Sequence, residues 1–291
     1  MPVTTNVARS NPLRQVTRFT VAGFGPWATN GHIMTPQEMA IALLTAVFVD
    51  YDIDAARDLL APDYIQHNPS IPTGADGILS VIPYVRDAGL TVTTHRIISE
   101  GDLVVLHNTY ENADMLGAST LVAFDVLRMD NGKFVEHWDN LQAPPATTAS
   151  GRLMTDGPTE VTDLDRTAAN KAVVQSFVQD VFLDGRVEKA ADYIIAEPGA
   201  YHQHNPWVPD GLDALGKAFA ELAEAGQGFS FSELHMIVAE GNFVFTMTEG
   251  KMGGEPTAFF DLWRVEDGKI VEHWDTIEAI PDEMAHENGK F

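Results

Sequence analysis

A stretch of 16 residues occurs twice in the chain, and this repeat restricts the possible folds more than any other feature. Residues 124–139 read FDVLRMDNGKFVEHWD and residues 260–275 read FDLWRVEDGKIVEHWD, with 10 of the 16 positions identical. Each copy places Asn-Gly or Asp-Gly between two strand-like runs, which is the strongest short-range signal of a β-hairpin. The chain is therefore predicted to form the same hairpin twice, 136 residues apart (260 minus 124).

The segments that precede the hairpin also repeat. YIQHNP at residues 64–69 returns as YHQHNP at residues 201–206. In both halves, three helix-like segments come before four strand-like segments. They are residues 35–50, 53–61, 75–88, 91–99, 103–112, 119–129 and 133–142 in the first half, and 163–183, 187–195, 212–225, 228–239, 242–250, 256–266 and 269–279 in the second. This order predicts a duplicated α+β fold, with three helices packed on a curved, four-stranded, mainly antiparallel sheet in each copy.

Local signals set the expected boundaries. Thr35 and Glu38 form a capping box around Pro36, so the first helix should begin there. Pro83 lies inside the third helix and should bend or break it. The expected organisation is an N-terminal extension (1–34), a first domain (35–142), a linker rich in Pro, Thr, Ala and Gly (143–162), a second domain (163–281) and a C-terminal tail (282–291).

Composition narrows the classes of function. The formal net charge of −24 argues against nucleic acid and anionic membrane surfaces as partners, because both repel an acidic protein. The absence of cysteine excludes disulfides, thiolate metal sites and cysteine nucleophiles, and it favours a cytoplasmic location. No apolar run reaches the roughly 18 residues of a transmembrane helix. The apolar part of residues 1–34 is short and interrupted by glycine, so it makes a poor signal peptide.

Three segments together resemble the SnoaL-like polyketide cyclases of the nuclear transport factor 2-like superfamily. They are DYIQHNP at residues 63–69, FDxxR from Phe124 and GKxxEHWD from Gly132, and the resemblance extends to both halves. It implies a cone-shaped domain whose curved sheet and helices enclose a pocket. Because members of the superfamily commonly dimerise through the outer sheet face, the two halves are expected to form a pseudo-dimer within the chain. A monomer and a higher homo-oligomer both remain open.

The resemblance also implies where the chemistry lies. In the cyclases an Asp at the end of the last strand is the acid/base, and this role falls on Asp139 and Asp275. Asp125 and Asp261 stand where those cyclases have a pocket His, which leaves the substrate open. Since side chains alternate along a strand, the His two residues before each terminal Asp shares its face, while the intervening Trp points to the other half. The acid–base candidates are Asp139, Asp275, Asp125, Asp261, His137 and His273.

Such residues support proton transfer without a metal or an organic cofactor. Burial raises the pKa of a carboxyl group, and a second carboxylate nearby raises one of the two further. The pocket would then hold one protonated acid and one ionised base, a pair that can remove a proton α to a carbonyl and protonate the enolate. The predicted substrate is a small hydrophobic carbonyl compound, and the reaction an aldol cyclisation, dehydration or isomerisation. The alternative is a binding protein that performs no chemistry.

Further residues are candidates for substrate contact: His67, Asn68, His204, Asn205, His107, Phe124 and Phe260. The two Asn could equally organise the turn before the Pro that follows them. The His residues could equally be structural core residues.

A metal set of two His and one carboxylate, such as His67, His137 and Asp125, is a weaker alternative, because the resemblance argues against it. The halves also differ. His107 corresponds to Met247 and Tyr110 to Gly250, so one repeat could be catalytic and the other a scaffold.

Overall fold

A computed structural model describes residues 28–29 and 32–291. The chain divides into two compact units, residues 1–33 and 34–291. In the first unit, β1 (Ala28–Thr29) pairs antiparallel with β2 (His32–Ile33), and residues 1–27, 30 and 31 of the predicted extension lie outside the described residues. Over the part of the chain that the structure describes, no helix has the length and apolar character needed to cross a membrane.

The first half consists of three helices and five strands. In chain order they are α1 (Pro36–Phe48), α2 (Ile53–Leu59), β3 (Leu60–Gln66), α3 (Ala75–Ala88), β4 (Thr91–Glu100), β5 (Leu103–Glu111), β6 (Thr120–Asp130) and β7 (Lys133–Gln142). The strand order is β3-β7-β6-β5-β4, antiparallel except for the parallel pair of β3 with β7. The predicted four-stranded sheet is therefore wrong by one strand, because the segment before His67 adds to the edge of the hairpin.

Helix termini follow the local chemistry of the sequence. The Thr35 hydroxyl accepts a hydrogen bond from the Glu38 amide, and the Glu38 carboxylate accepts one from the Thr35 amide, as the capping box predicts. Helix α3 continues through Pro83 without a break. It ends at Gly89, whose φ of 65° lies in the left-handed region. Of the two outcomes predicted for Pro83, a bend or a break, the break is wrong.

The second half repeats this layout. Its elements are α4 (Thr167–Phe177), which continues as a π-helical segment (Val178–Leu183), α5 (Ala190–Tyr193), β8 (His202–Gln203), α6 (Leu212–Glu224), β9 (Phe229–Glu240), β10 (Phe243–Met252), β11 (Glu255–Glu266) and β12 (Lys269–Ala279). The strand order is β8-β12-β11-β10-β9, with β8 parallel to β12. The short strand β8, which leads into the His-Asn-Pro segment, is the fifth strand of this sheet. The prediction of four strands is therefore wrong for this half as well.

The faces of the two sheets that point away from the helices share one hydrophobic core. Its buried members are Ile98, Val105, Phe124, Val126 and Trp138 from the first half, and Val238, Phe243, Phe245, Met247, Ala258, Phe260, Leu262 and Trp274 from the second. Asn140 of β7 adds a polar contact by donating to the carbonyl of Thr276 on β12 at 2.7 Å. Because burial of this apolar surface joins the halves, residues 34–291 form one unit rather than two.

The segment between the halves contributes to the same interface. Buried Arg96 of β4 donates to the carbonyl groups of Thr155, Asp156 and Pro158, and its guanidinium lies 4.2 Å above the ring of Trp274. Burial lowers the pKa of Arg96 to about 10, which leaves it charged at neutral pH. The predicted linker is therefore fixed by backbone hydrogen bonds to a buried cation.

Candidate active site

Each half encloses a cavity between its sheet and its helices. The first cavity has a volume of about 160 Å³ and the second about 200 Å³. The first is lined mainly by aliphatic side chains from α1, α3 and the sheet, including Leu43, Val47, Ile78, Val81, Leu106 and Leu127. The second is mainly aromatic and includes Phe177, Phe182, Phe219, Phe229, Phe231 and Phe259. An apolar cavity of roughly 150 Å³ accepts benzene, so each has room for a ligand of about one ring.

The repeated hairpin supplies the polar end of each cavity. Asp125 on β6 lies directly opposite Asp139 on β7, and His137 shares their face because it is two residues from Asp139. Asp261 and Asp275 are paired in the same way across β11 and β12. All three side chains in each half line the cavity, and each offers one nitrogen or oxygen atom within 4.8 Å of the other two.

A glutamine fixes the orientation and tautomer of the pocket histidine. Gln66 Oε1 accepts hydrogen bonds from the amides of His67 and Asn68, so it is an acceptor and His137 Nδ1 donates to it at 2.9 Å. The remaining ring nitrogen, Nε2, lies 3.2 Å from Asp125 Oδ1. One proton must therefore lie between Nε2 and Oδ1, on either the imidazole or the carboxyl group.

The second half has the same arrangement. Gln203 Oε1 accepts from the amide of Asn205 and from His273 Nδ1, the latter at 2.9 Å. His273 Nε2 lies 2.9 Å from Asp261 Oδ1. The sequence YxQHNP thus places its Gln, rather than its His, against the pocket.

An asparagine holds one oxygen of the terminal Asp in each cavity. Asn68 Nδ2 donates to Asp139 Oδ2 and Asn205 Nδ2 donates to Asp275 Oδ2, both at 2.6 Å. Among the described residues, the Oδ1 atoms of both Asp are buried and have no hydrogen-bond partner. Asn68 Oδ1 meanwhile accepts from the Ser70 amide, so Asn68 also organises the turn, and its side chain lines the first cavity.

Burial sets the protonation states of the second cavity. It raises the pKa of Asp261 to about 8 and that of Asp275 to about 6. Burial also lowers the pKa of His273 to about 4. At neutral pH the shared proton therefore belongs to Asp261, His273 is neutral, and Asp275 is mostly ionised.

Comparison with known families identifies both halves. The model of the SnoaL-like domain matches residues 41–137 and again residues 174–273, which together make up more than half of the chain. The chain belongs to the SnoaL-like domain family. This confirms the resemblance predicted from the His-Asn-Pro segment and the hairpin. A search of curated proteins found no match.

Solved structures resemble one half of the chain at a time. IdmH from Streptomyces antibioticus, a proposed polyketide cyclase, is 22% identical, with 38% of this chain and 93% of that chain covered and a TM-score of 0.32. A nuclear transport factor 2-like protein from Cytophaga hutchinsonii is 14% identical, with the same coverages and TM-score. An epoxide hydrolase from M. tuberculosis is 18% identical over 37% of this chain and 82% of that chain, with a TM-score of 0.31.

The two SnoaL-like domains differ in what holds the paired Asp. In the first, Asn108 Nδ2 donates to Asp125 Oδ2 at 2.7 Å and the Tyr110 hydroxyl donates to both oxygens at 2.9 and 3.0 Å. The matching residues of the second domain are Thr248 and Gly250, and Asp261 Oδ2 has no partner among the described residues. Hydrogen-bond donors favour the charged form of a carboxylate, and the second domain lacks both of these donors.

The charge on the pocket histidine follows from this difference. Burial lowers the pKa of His137, but the hydrogen bond from His137 to Asp125 and the charges of Asp139 and Asp125 outweigh burial and raise the pKa above its ordinary value. The raised pKa of His137 favours its charged form in the first domain, whereas the shared proton lies on Asp261 in the second.

Two of the predicted substrate contacts lie on the wrong face of the sheet. His67 stacks on Trp138, and its ring nitrogens contact Glu136 Oε1 at 3.0 Å and the Gly289 carbonyl at 2.9 Å. His204 stacks on Trp274 in the same way, between Glu272 and the Leu153 carbonyl. The prediction that these histidines contact substrate is wrong, because the strands β3 and β8 turn them toward the interface between the halves.

Three more predicted contacts are core residues of that interface. His107 is buried, accepts from Arg96 through Nδ1, and stacks on Phe124. Phe124 and Phe260 both belong to the shared hydrophobic core. The neighbouring Phe259 lines the second cavity instead. Because side chains alternate along a strand, the prediction was one residue out and placed Phe260 on the wrong face of β11.

Sequence reasoning also missed residues that support the site. Gln66 and Gln203 stand in the repeated YxQHNP segment, so the repeat itself marked them. Asn108 and Tyr110 precede the hairpin on β5, and only the difference between Tyr110 and Gly250 pointed to them.

The metal set considered from the sequence does not come together, because His67 lies across the sheet from His137 and Asp125. The two Asp and one His that do converge use both ring nitrogens of the His on protein partners. A cation could bind there only by displacing the proton shared with Asp125 or Asp261. The hydrogen bonds therefore favour an acid–base set over a set of metal ligands.

Proposed function

We propose that the chain is an acid–base enzyme that acts on small hydrophobic carbonyl compounds as a cyclase, dehydratase or isomerase. One observation carries the proposal. In each domain a buried Asp that lines an apolar cavity has one oxygen held by an Asn and the other without a hydrogen-bond partner among the described residues, beside a His–Asp pair that shares a proton. A fixed carboxylate with one unoccupied oxygen is suited to be a general base.

The proposed reaction begins with proton abstraction. Oδ1 of Asp139 or Asp275 takes the proton from the carbon next to the carbonyl, and the electrons of the broken C–H bond move onto the carbonyl oxygen. The proton between the His and the other Asp then neutralises the enolate oxygen. It comes from the imidazolium of His137 in the first domain and from the Asp261–His273 pair in the second. The enol can then be protonated elsewhere, eliminate a hydroxyl group or attack a second carbonyl.

The cavity linings support the proposed substrate class. Their volumes admit about one ring, and their apolar side chains favour a compound with few polar groups beyond the carbonyl. The same side chains exclude water from the cavities. Without them, water would solvate the carboxylates and make them weaker bases.

Deuterium exchange tests the proposal with simple ketones in place of the natural substrate. The protein is incubated in D2O with a panel of cyclic ketones, and loss of the α-proton signal is followed by NMR. We expect exchange with at least one ketone, and a fall of at least about 100-fold in the double variant D139N/D275N, which is typical of the removal of a general base. The matched control is D63N, because Asp63 is an exposed Asp on β3.

The alternative is a protein that binds a small hydrophobic metabolite and performs no chemistry. The apolar lining of both cavities favours it as well. It predicts ketone binding in ligand-observed NMR with no exchange above that of buffer, and equal binding by the double variant. Retention of exchange by the folded double variant would exclude Asp139 and Asp275 as the bases.

A further inference from the structure

The chain beyond the last strand of each domain crosses to the other domain. We call residues 144–155 the first strap and residues 280–291 the second strap. The Ala149 amide of the first strap donates to the Pro206 carbonyl, and the Ala285 amide of the second donates to the Pro69 carbonyl, both at 2.8 Å. Each strap therefore binds the His-Asn-Pro segment of the domain that it does not follow.

The straps are equivalent residue by residue. The Leu153 carbonyl of the first contacts His204 Nδ1 at 2.7 Å, and the Gly289 carbonyl of the second contacts His67 Nδ1 at 2.9 Å. The offset between these two contacts is 136 residues (289 minus 153), which is the offset of the repeated hairpin. Each strap thus packs on the domain that the other strap follows.

The next position in the straps differs in charge. Met154 follows Leu153 and Lys290 follows Gly289, and both are buried, with 2% and 3% of their surface exposed. Lys290 Nζ lies 2.7 Å from Glu278 Oε2 and 3.9 Å from Asp139 Oδ1. That oxygen of Asp139 is the one with no hydrogen-bond partner among the described residues. The corresponding residues of the other half are both neutral. Met154 takes the place of Lys290, and Gln142 on β7 takes the place of Glu278 on β12.

We propose that Lys290 is a positioning residue of the first pocket: the second strap delivers its ammonium to Asp139 and keeps that carboxylate ionised, while Met154 leaves Asp275 without such a charge. The inference rests on the proposed role of the two Asp as bases. Its physical basis is the Coulomb attraction of two buried charges about 4 Å apart, which favours the ionised carboxylate. The repeated fold would then carry two bases of different strength.

Other groups also face Asp139. Tyr64 on β3, Tyr110 on β5, Asp125 on β6 and His137 on β7 surround it within the first domain. Glu278 on β12 approaches from the second, and the charge of Asp139 raises the pKa of that carboxyl in addition to the larger effect of burial. The helices that line this cavity contribute only apolar side chains among the described residues. Lys290 is thus placed between two carboxylates that would otherwise repel each other.

Two single variants give opposite predictions. K290M copies the residue of the first strap and removes the cation, so the Asp139 carboxyl should titrate at a pH higher by about one unit or more. E278Q removes the competing partner of Lys290, so the Asp139 carboxyl should titrate at lower pH than in the unaltered protein. K290R keeps the charge, so the midpoint of the Asp139 titration should stay at its value in the unaltered protein.

The readout is the carboxyl ¹³C chemical shift of labelled aspartate in the full chain, followed against pH. The Asp139 signal is identified by its loss in D139N, and the Asp275 signal by its loss in D275N. This measurement needs no turnover, so the inference can fail while the proposed enzyme activity stands, and the reverse.

Opposite shifts of the Asp139 midpoint in K290M and E278Q, with Asp275 unmoved, would support the inference. An unchanged Asp139 midpoint in either folded variant would overturn it, and would leave Lys290 a role in stability alone. Equal movement of the Asp275 midpoint would overturn it too, because the effect would then not belong to the first pocket. If K290M does not fold, K290Q, which removes the charge but keeps a long side chain, is measured in its place.

Discussion

At the scale of single residues, the same Asp and His side chains hold a proton in two different places. Asp125 accepts hydrogen bonds from Asn108 and Tyr110 and faces His137, whose pKa is raised. Asp261 has neither donor and keeps the proton itself, so His273 is neutral. Two differences on one neighbouring strand, Asn108 against Thr248 and Tyr110 against Gly250, therefore separate the surroundings of the two repeated Asp residues.

This difference predicts how stability depends on pH. Because the pKa of Asp261 rises to about 8 on folding, the stability that this group contributes is present at low pH and is lost as pH rises through 8. Between pH 6.5 and 8 the loss should be about 1–2 kcal/mol. The lowered pKa of His273 acts with the opposite sign, but only as pH falls from about 6.5 to 4, outside that window.

The variant D261N isolates the effect. An Asn at this position donates to His273 Nε2 as the protonated carboxyl does, so stability should change little below about pH 4, where the carboxyl is protonated in both states. At pH 6.5 D261N should be the more stable protein, and the loss between pH 6.5 and 8 should shrink by about 1–2 kcal/mol. Urea denaturation at both pH values measures it. The matched variant D125N should instead be destabilised at every pH, since its amide would face the donors Asn108 and Tyr110. Equal pH dependence in D261N and the unaltered protein would mean that Asp261 is ionised after folding.

Much of this residue-level picture was available from the sequence, and the reasons are specific. Alternation along β7 and β12 was enough to place His137 with Asp139, and His273 with Asp275, on the cavity face. Alternation does not say which face of a neighbouring strand is which, so His107 and Phe124 were assigned to the wrong side. The orientation of His67 depends on the parallel pairing of β3, which no periodic pattern in the sequence reveals.

At the scale of secondary-structure elements, the last strand of each domain has two separate roles. One face of β12 carries His273 and Asp275 to the cavity, and the other carries Glu272 and Trp274 to the interface. Burial would raise the pKa of Glu272, but hydrogen bonds from His204 and Arg264 outweigh it and lower the pKa below its ordinary value. The interface face is thus held by a buried charge network, as well as by apolar packing.

The two domains differ in how deeply this network is buried, which predicts unequal effects of the same substitution. The Glu272 side chain is 1% exposed and that of Arg264 9%, whereas Glu136 and Arg128 are 15% and 33% exposed. E272A strands a buried Arg and a buried His, and should cost about 3–5 kcal/mol of unfolding free energy. The matched variant E136A should cost less, about 1–3 kcal/mol, because water reaches Arg128, although His67 is buried here as His204 is in the other domain.

Denaturant unfolding of the two variants under the same conditions checks this order. Equal losses would show that solvent exposure does not decide the strength of the network.

The fifth strands show what sequence patterns miss at this scale. β8 is only two residues long, too short for a period of two to be visible. β3 contains Pro62, and its pairing with β7 is interrupted between Leu60 and Ile65. The hairpin strands, which are long and have a turn signal between them, were predicted correctly because both their pattern and their turn chemistry are strong.

At the scale of the whole molecule, duplication within one chain allows the two pockets to diverge. A dimer of identical chains has two identical sites. Here the halves share a core and exchange straps, yet differ at Tyr110 and Gly250 and at Lys290 and Met154. The exchange of straps had no signal in the sequence, because the tail residues 282–291 and the linker share almost no side-chain identity and interact through their backbone.

The pH dependence of α-proton exchange in the single variants D139N and D275N is the most direct test of two distinct acid–base pockets. D139N leaves the second pocket, whose base Asp275 has a pKa of about 6 and whose acid Asp261 has a pKa of about 8. We predict a bell-shaped profile for D139N with limbs near these values, a different profile for D275N, and loss of exchange in the double variant. Identical profiles for the two single variants, or undiminished exchange in the double variant, would contradict the assignment.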